Sequence, residues 1–97
     1  METNYPEPIT IDKDQIAGLS FPENEVLSSP DKIRQRAADI ELAMRLGNNY
    51  KGKAKIIFED STGVHQVETT IWGVTDKRII LKGDLVIPIH RIHKIKM

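Results

Sequence analysis

Residues 64–96 read VHQVETTIWGVTDKRIILKGDLVIPIHRIHKIK. Apolar and β-branched residues recur at every second position, interrupted by Thr75-Asp76-Lys77, by Gly83-Asp84 and by Pro88. That alternation marks antiparallel strands with one buried face, because successive side chains of a strand point to opposite sides. The spacing predicts strands over about 64–74, 78–82, 85–87 and 92–96. Gly73 falls inside the longest of them. A glycine there marks a bulge or bend, so a strand bent in this way can serve both halves of a small barrel. Pro88 lacks the N–H that a ladder needs and ends its strand, and His90-Arg91 reads as one tight turn before the last strand.

Toward the N-terminus, one more strand is expected at about 53–59, joined to the stretch above by the hairpin turn Asp60-Ser61-Thr62-Gly63, where Gly63 is free to take positive φ. Before it lies a polar link, residues 48–52, and before that a helix over about 30–46. Ser29 can cap the free N–H groups, Pro30 suits the first helical position, and Asp31 complements the positive end of the dipole. Gly47 reads as the left-handed stop. Ile33, Ala37, Ile40 and Met44 form one apolar stripe that should lie on the sheet. Leu42 and Leu46 fall on nearly the opposite face, where they meet either the N-terminal arm or another subunit, the arm being favoured. Residues 1–28, punctuated by Pro6, Pro8, Gly18 and Pro22, form that arm, with Ile9–Ile11 and Ile16–Leu19 as its apolar anchors.

The expected fold is therefore mainly β with one N-terminal helix: an irregular arm at 1–28 and a single domain at 29–97, built as a five-stranded, strongly bent antiparallel small barrel. A chain of 97 residues makes only a modest core, so its stability is marginal without a partner or a second copy. Without cysteine there is no disulfide, no thiolate metal site and no Cys nucleophile. The first ten residues lack the pattern of a signal peptide and no apolar run is long enough to span a bilayer, so a cytoplasmic location is expected.

Charge is balanced overall, 14 Lys and Arg against 14 Asp and Glu, but not along the chain. Residues 1–49 carry five basic against nine acidic groups and residues 50–97 nine against five, so the halves are −4 and +4. The β half can therefore present a basic face to an anionic partner, although lysines on strands also serve simply to keep edges soluble.

No catalytic group is expected. There is no G-x-S-x-G, P-loop, G-x-G-x-x-G or H-E-x-x-H pattern, and the carboxylates are scattered over turns and arm. Asp12, Asp14 and Glu23 match three positions of a calcium-loop template, but Ile16 and Ala17 occupy the positions where it needs an oxygen ligand and a glycine. His90 and His93 lie three apart, which puts them on opposite faces of a regular strand, and His65 would have to join them from a hairpin. No metal and no cofactor is expected. Trp72, between Ile71 and Gly73, reads as the residue closing one end of the core, so Trp72→Ala should cost about 3–5 kcal/mol.

The order of a helix followed by five bent strands, with a minimal link before the last, resembles the Sm-like, SH3-like small barrel. Ile80-Leu81-Lys82-Gly83-Asp84 is similar to the second Sm signature, in which apolar residues precede a basic residue and a glycine. That resemblance implies a role in binding RNA for Lys82 and Gly83 alone, since the first Sm signature has no counterpart between Gly63 and Leu81. Val74-Thr75-Asp76-Lys77-Arg78-Ile79-Ile80, with Ile87-Pro88-Ile89 and Ile92, is similar to bacterial PH-like and GRAM-like domains. That second resemblance implies lipid-headgroup binding, but the closing C-terminal helix of those domains has no counterpart before Met97. Two classes of function follow. One is a non-enzymatic protein-interaction or self-assembly module, partnered by another protein or by itself as a homo-oligomer. The other is an RNA-binding module using Lys77, Arg78, Lys82, Gly83, Arg91, Lys94 and Lys96. Neutral charge and few aromatics favour the first; a membrane partner is not expected and no small-molecule substrate is evident.

Overall fold

The computed structural model describes residues 5–50 and 52–97. Among these residues, seven strands and one long helix form a small, mainly β fold of two sheets: β1 (Ile9–Thr10), α1 (Pro30–Tyr50), β2 (Ala54–Glu59), β3 (Val64–Thr69), β4 (Ile71–Val74), β5 (Arg78–Leu81), β6 (Leu85–Pro88) and β7 (Ile92–Lys96). Two 3-10 helices, Lys13–Gly18 and Ile89–Arg91, complete it. Sheet A has the order β1-β3-β2-β7 and is antiparallel except for β1, which runs parallel to β3. Sheet B is the antiparallel meander β4-β5-β6.

The expected five-stranded, strongly bent barrel is met only in its coarse features: the fold is mainly β with one long helix, but its strands form two sheets and not a closed barrel. Instead of one bent strand over 64–74, the chain breaks at Thr70 and passes from sheet A to sheet B. The buried Thr70 hydroxyl donates to the Gly52 carbonyl at 3.2 Å, and its own carbonyl accepts from Lys82 N–H at 3.0 Å. Among the described residues no ladder joins the sheets to each other. Helices fill the two seams instead: α1 packs against β7 of sheet A and β4 of sheet B, and the 3-10 helix of the arm packs against β6 and β3. The interior of a helix has no free backbone donors to continue a ladder, so α1 covers the sheet edge through its side chains, apolar ones and the buried Arg36. Ile40 and Ala43 from one seam and Ile16 from the other join Ile56, Phe58, Val67, Ile79, Leu81 and Ile87 in one core.

The helix departs from its expected reading in two ways. It runs to Tyr50, so Asn48–Tyr50 of the expected polar link are helical, Gly52 precedes β2, and Lys51 lies outside the described residues, as do residues 1–4 of the arm. Gly47 is thus no stop. A Cβ there would meet Thr70 Cγ2 at 2.9 Å and the Ile71 carbonyl oxygen at 3.0 Å, so glycine is needed for the close approach of α1 to β4. The buried stripe is also turned by one residue, to Arg36, Ile40, Ala43 and Gly47; Ala37 is exposed and Ile33 is 37% exposed. A periodicity argument places apolar groups inside, whereas here a paired arginine takes an inward position. Leu42, 42% exposed, is not covered by the arm.

Candidate binding surfaces

The arm is bound down by groups the alternation pattern treats as surface. The guanidinium of Arg36 is 4% exposed and donates to both Glu25 carboxylate oxygens, at 2.7 and 2.6 Å, and to the Ile92 carbonyl at 3.0 Å. One side chain thereby joins helix, arm and β7. Arg91, buried, donates through Nε to the Glu59 carbonyl at 3.0 Å and through Nη1 to the Asn24 carbonyl at 2.8 Å and Asn24 Oδ1 at 3.1 Å. It is therefore withdrawn from any surface ligand, a correction to its place in the expected basic set. Neither buried arginine could be located from sequence, because what marks each is a carbonyl or carboxylate brought by a distant segment.

The three histidines lie apart and each has a structural neighbour. His90 Nε2 is 3.1 Å from the Pro22 carbonyl, with Val26 N–H donating back to the His90 carbonyl at 3.0 Å. His93 Nε2 is 2.8 Å from Glu59 Oε1, and its ring lies 5.0 Å from that of Tyr5. Burial, and after it the charge of Glu7, raises the Tyr5 phenol pKa. His65 Nε2 is 3.1 Å from Asp60 Oδ1, which also accepts from the Thr62 hydroxyl, Thr62 N–H and Gly63 N–H. Burial alone would push the Asp60 carboxyl up; the bonds from Thr62 and Gly63, with His65 beside it, outweigh that and hold it below its usual value. No group of three His, Cys, Asp or Glu side chains able to hold a metal occurs among the described residues.

The remaining basic residues do not form one patch. Lys77 and Arg78 are exposed where β5 begins, in a turn whose Lys77 and Arg78 N–H groups both donate to Thr75 Oγ1. Lys82 and Gly83 lie at the other end of β5, in the turn to β6, where Gly83 has φ +90° and Asp84 φ +64°. Lys94 and Lys96 lie on β7 in sheet A, opposite Ile57 and Lys55 respectively.

Sheet B has an outer face of different character. Its register pairs Ile79 with Ile87 and Leu81 with Ile71 and Leu85 on the core side, and Ile80 with Gly73 and Val86, and Arg78 with Pro88, on the other. Trp72, next to the buried Ile71, falls within the register shift and is 48% exposed; Val86 is 39% exposed. Trp72 therefore does not close the core as its apolar neighbours suggested: successive side chains of a strand alternate, so the buried Ile71 leaves Trp72 facing outward, and the shift changes the pairing only of the residues that follow. An exposed tryptophan beside an isoleucine, a valine and a proline, with one arginine at the margin, makes an apolar surface of the kind that marks contact sites.

No protein-family model, curated protein or solved structure matches the chain. No helix among the described residues is long and apolar enough to cross a membrane.

Proposed function

We propose that the protein is a small, non-catalytic protein-interaction module, related to Sm-like and SH3-like barrels, which associates with a second copy of itself through the outer face of sheet B. The observation that carries this reading is the exposure of Trp72, at 48%, on a sheet that also exposes Val86, the cross-strand partner of Ile80. Large aromatics are costly to leave in water and are enriched at the centres of interfaces. A patch that pairs with itself about a twofold axis needs no second partner gene product and offsets the small core of a chain this short. The element order supports the family relation: a helix ahead of the main run of strands, and a single 3-10 turn before the last of them.

A second reading rests on the same tryptophan. An exposed indole on a sheet that also carries Arg78 is a platform on which an RNA base can stack, worth about 1–3 kcal/mol per base. The scatter of Lys77, Lys82, Lys94 and Lys96 over two sheets and the burial of Arg91 favour the protein reading.

Light scattering over a range of concentration and salt separates the two. Self-association predicts a mass above that of the monomer that persists at high salt and collapses to the monomer in Trp72→Ser combined with Val86→Ser. A protein that stays monomeric at every concentration, or gains mass only with single-stranded RNA at low salt, refutes the first reading, and the latter result supports the second.

A further inference from the structure

We propose that the open cavity between the arm, the β3–β4 crossing and the β5–β6 turn is a binding site for a small, multiply charged phosphate-bearing ligand. This inference is independent of what docks on sheet B. The cavity has a volume of about 390 Å³ and is lined by Thr10–Lys13, by Lys53, by Val67–Thr70 and by Lys82. Roughly 300 Å³ is already enough for a small-molecule pocket.

Three features give it its chemistry. First, Lys13, Lys53 and Lys82 come from three separate segments to one concavity, and none makes an ion pair among the described residues, although Asp12 and Glu68 line the same wall. Second, the geometry that brings two of them together is built in. Lys82 N–H donates to the Thr70 carbonyl at 3.0 Å, which sets the turn. The Lys13 ammonium lies 3.4 Å from where a Cβ at Gly83 would stand, which places it against the β5–β6 turn, and glycine permits the turn's φ of +90°. Third, one of the two carboxylates of the wall has a cation beside it outside the cavity: Lys55 of β2 stands directly opposite Glu68 of β3 in the register of sheet A, an opposite-charge cross-strand pair.

The two carboxylates select among anions. With three ammonium groups against two carboxylates the cavity attracts a monoanion only weakly, whereas a ligand with two or more charges on adjacent oxygens can span several lysines at once. Lysine suits this role as a compact point charge with three donors, able to meet phosphate oxygens without the fixed fork of arginine. The half-buried Ile11 supplies an apolar flank for whatever bears the phosphate.

The test is a titration of the ¹⁵N-labelled full chain by NMR, with pyrophosphate in one arm and phosphatidylcholine vesicles carrying phosphatidic acid in the other. The expected result is a saturable shift of the Lys13, Lys82 and Gly83 amides, lost with added salt. Lys13→Gln with Lys82→Gln should weaken binding on the order of tenfold or more, and Glu68→Gln should tighten it about threefold, while Lys32→Gln on α1 leaves it unchanged. Binding confined to the vesicles, and equally sensitive to the double variant, assigns the site to a lipid headgroup; binding of pyrophosphate assigns it to a free phosphorylated molecule. No saturable shift in either arm, or an affinity indifferent to both the double variant and Glu68→Gln, overturns the proposal. These side chains lie at the surface, so an unchanged melting curve confirms that each variant is folded.

Discussion

Removing Glu25 should damage this protein more than removing the buried arginine it pairs with. In Glu25→Ala the Arg36 guanidinium, 4% exposed, retains only the Ile92 carbonyl among the partners described above. Taking one partner from a fully buried ion pair costs about 3–5 kcal/mol, because the remaining charge is left uncompensated. The Glu25 side chain is 31% exposed, so water already screens the pair, and the expected cost falls to about 2–3 kcal/mol. Arg36→Met behaves differently. The thioether fills the same apolar channel, Glu25 turns to water, and the main loss is the bond to the Ile92 carbonyl, worth about 1–2 kcal/mol. The double variant contains no orphaned charge and should be about as stable as Arg36→Met alone, giving a coupling of about 2 kcal/mol. Urea unfolding followed by far-ultraviolet circular dichroism at neutral pH measures all four corners of the cycle. For a domain of this size Glu25→Ala should lower the Tm by roughly 10–20 °C. Costs that simply add, or a Glu25→Ala penalty below about 0.5 kcal/mol, would refute the argument that Arg36 is a buried charge held by the arm.

Acid should unfold the protein through two carboxyls. Burial raises the Glu25 pKa, but the bonds and charge of Arg36 and the N–H groups of Leu27 and Val26 bring it below the usual 4.5, and Asp60 is likewise held below 3.8. A depressed folded pKa means the unfolded chain binds protons more readily, so this stabilisation is complete above the ordinary carboxylate range and is lost as pH falls through the folded values. Stability measured against pH should show that loss, and Asp60→Asn should flatten its acid limb. Gly47→Ala should destabilise by about 1–3 kcal/mol despite alanine's better helix propensity, since a Cβ 3.0 Å from the Ile71 carbonyl oxygen meets backbone that cannot swing away; an unchanged urea midpoint would show that α1 does not rest on β4 at that point. Trp72→Ala should cost less than about 1 kcal/mol in the monomer, well under the penalty for a core aromatic, and the wild-type emission maximum should be that of a hydrated indole. A blue-shifted maximum in dilute monomer contradicts the outward placement of Trp72.

The candidate surfaces were only partly legible in advance. Lys82 and Gly83 stood out from their turn, and the turn is where one wall of the cavity forms. Lys13 and Lys53 carried no signal, because nothing in their neighbours says that an arm residue and a strand-end residue will face the same hollow. Arg91 read as a basic residue on a basic strand, and only the approach of Asn24 and the Glu59 carbonyl drew it inside. Trp72 read as core because its sequence neighbours are apolar, yet with Ile71 buried beside it the alternation of the strand leaves it outside.

What the amino-acid order determined by itself is local. Alternation placed β2, β5, β6 and β7 close to their observed bounds, and Ser29-Pro30-Asp31 marked the start of α1, because period and capping depend on residues a few positions apart. The tertiary structure decided what depends on distant groups meeting. Gly47 is helical rather than a stop because β4 lies against it. Arg36 is interior because Glu25 and Ile92 supply its partners. The long strand divides at Thr70 because Gly52 and Lys82 satisfy its polar groups there, and the sheets stay separate because α1 and the arm's 3-10 helix occupy the seams a closed barrel would need. Burial and hydrogen-bond satisfaction belong to the assembled chain, and no local period records them.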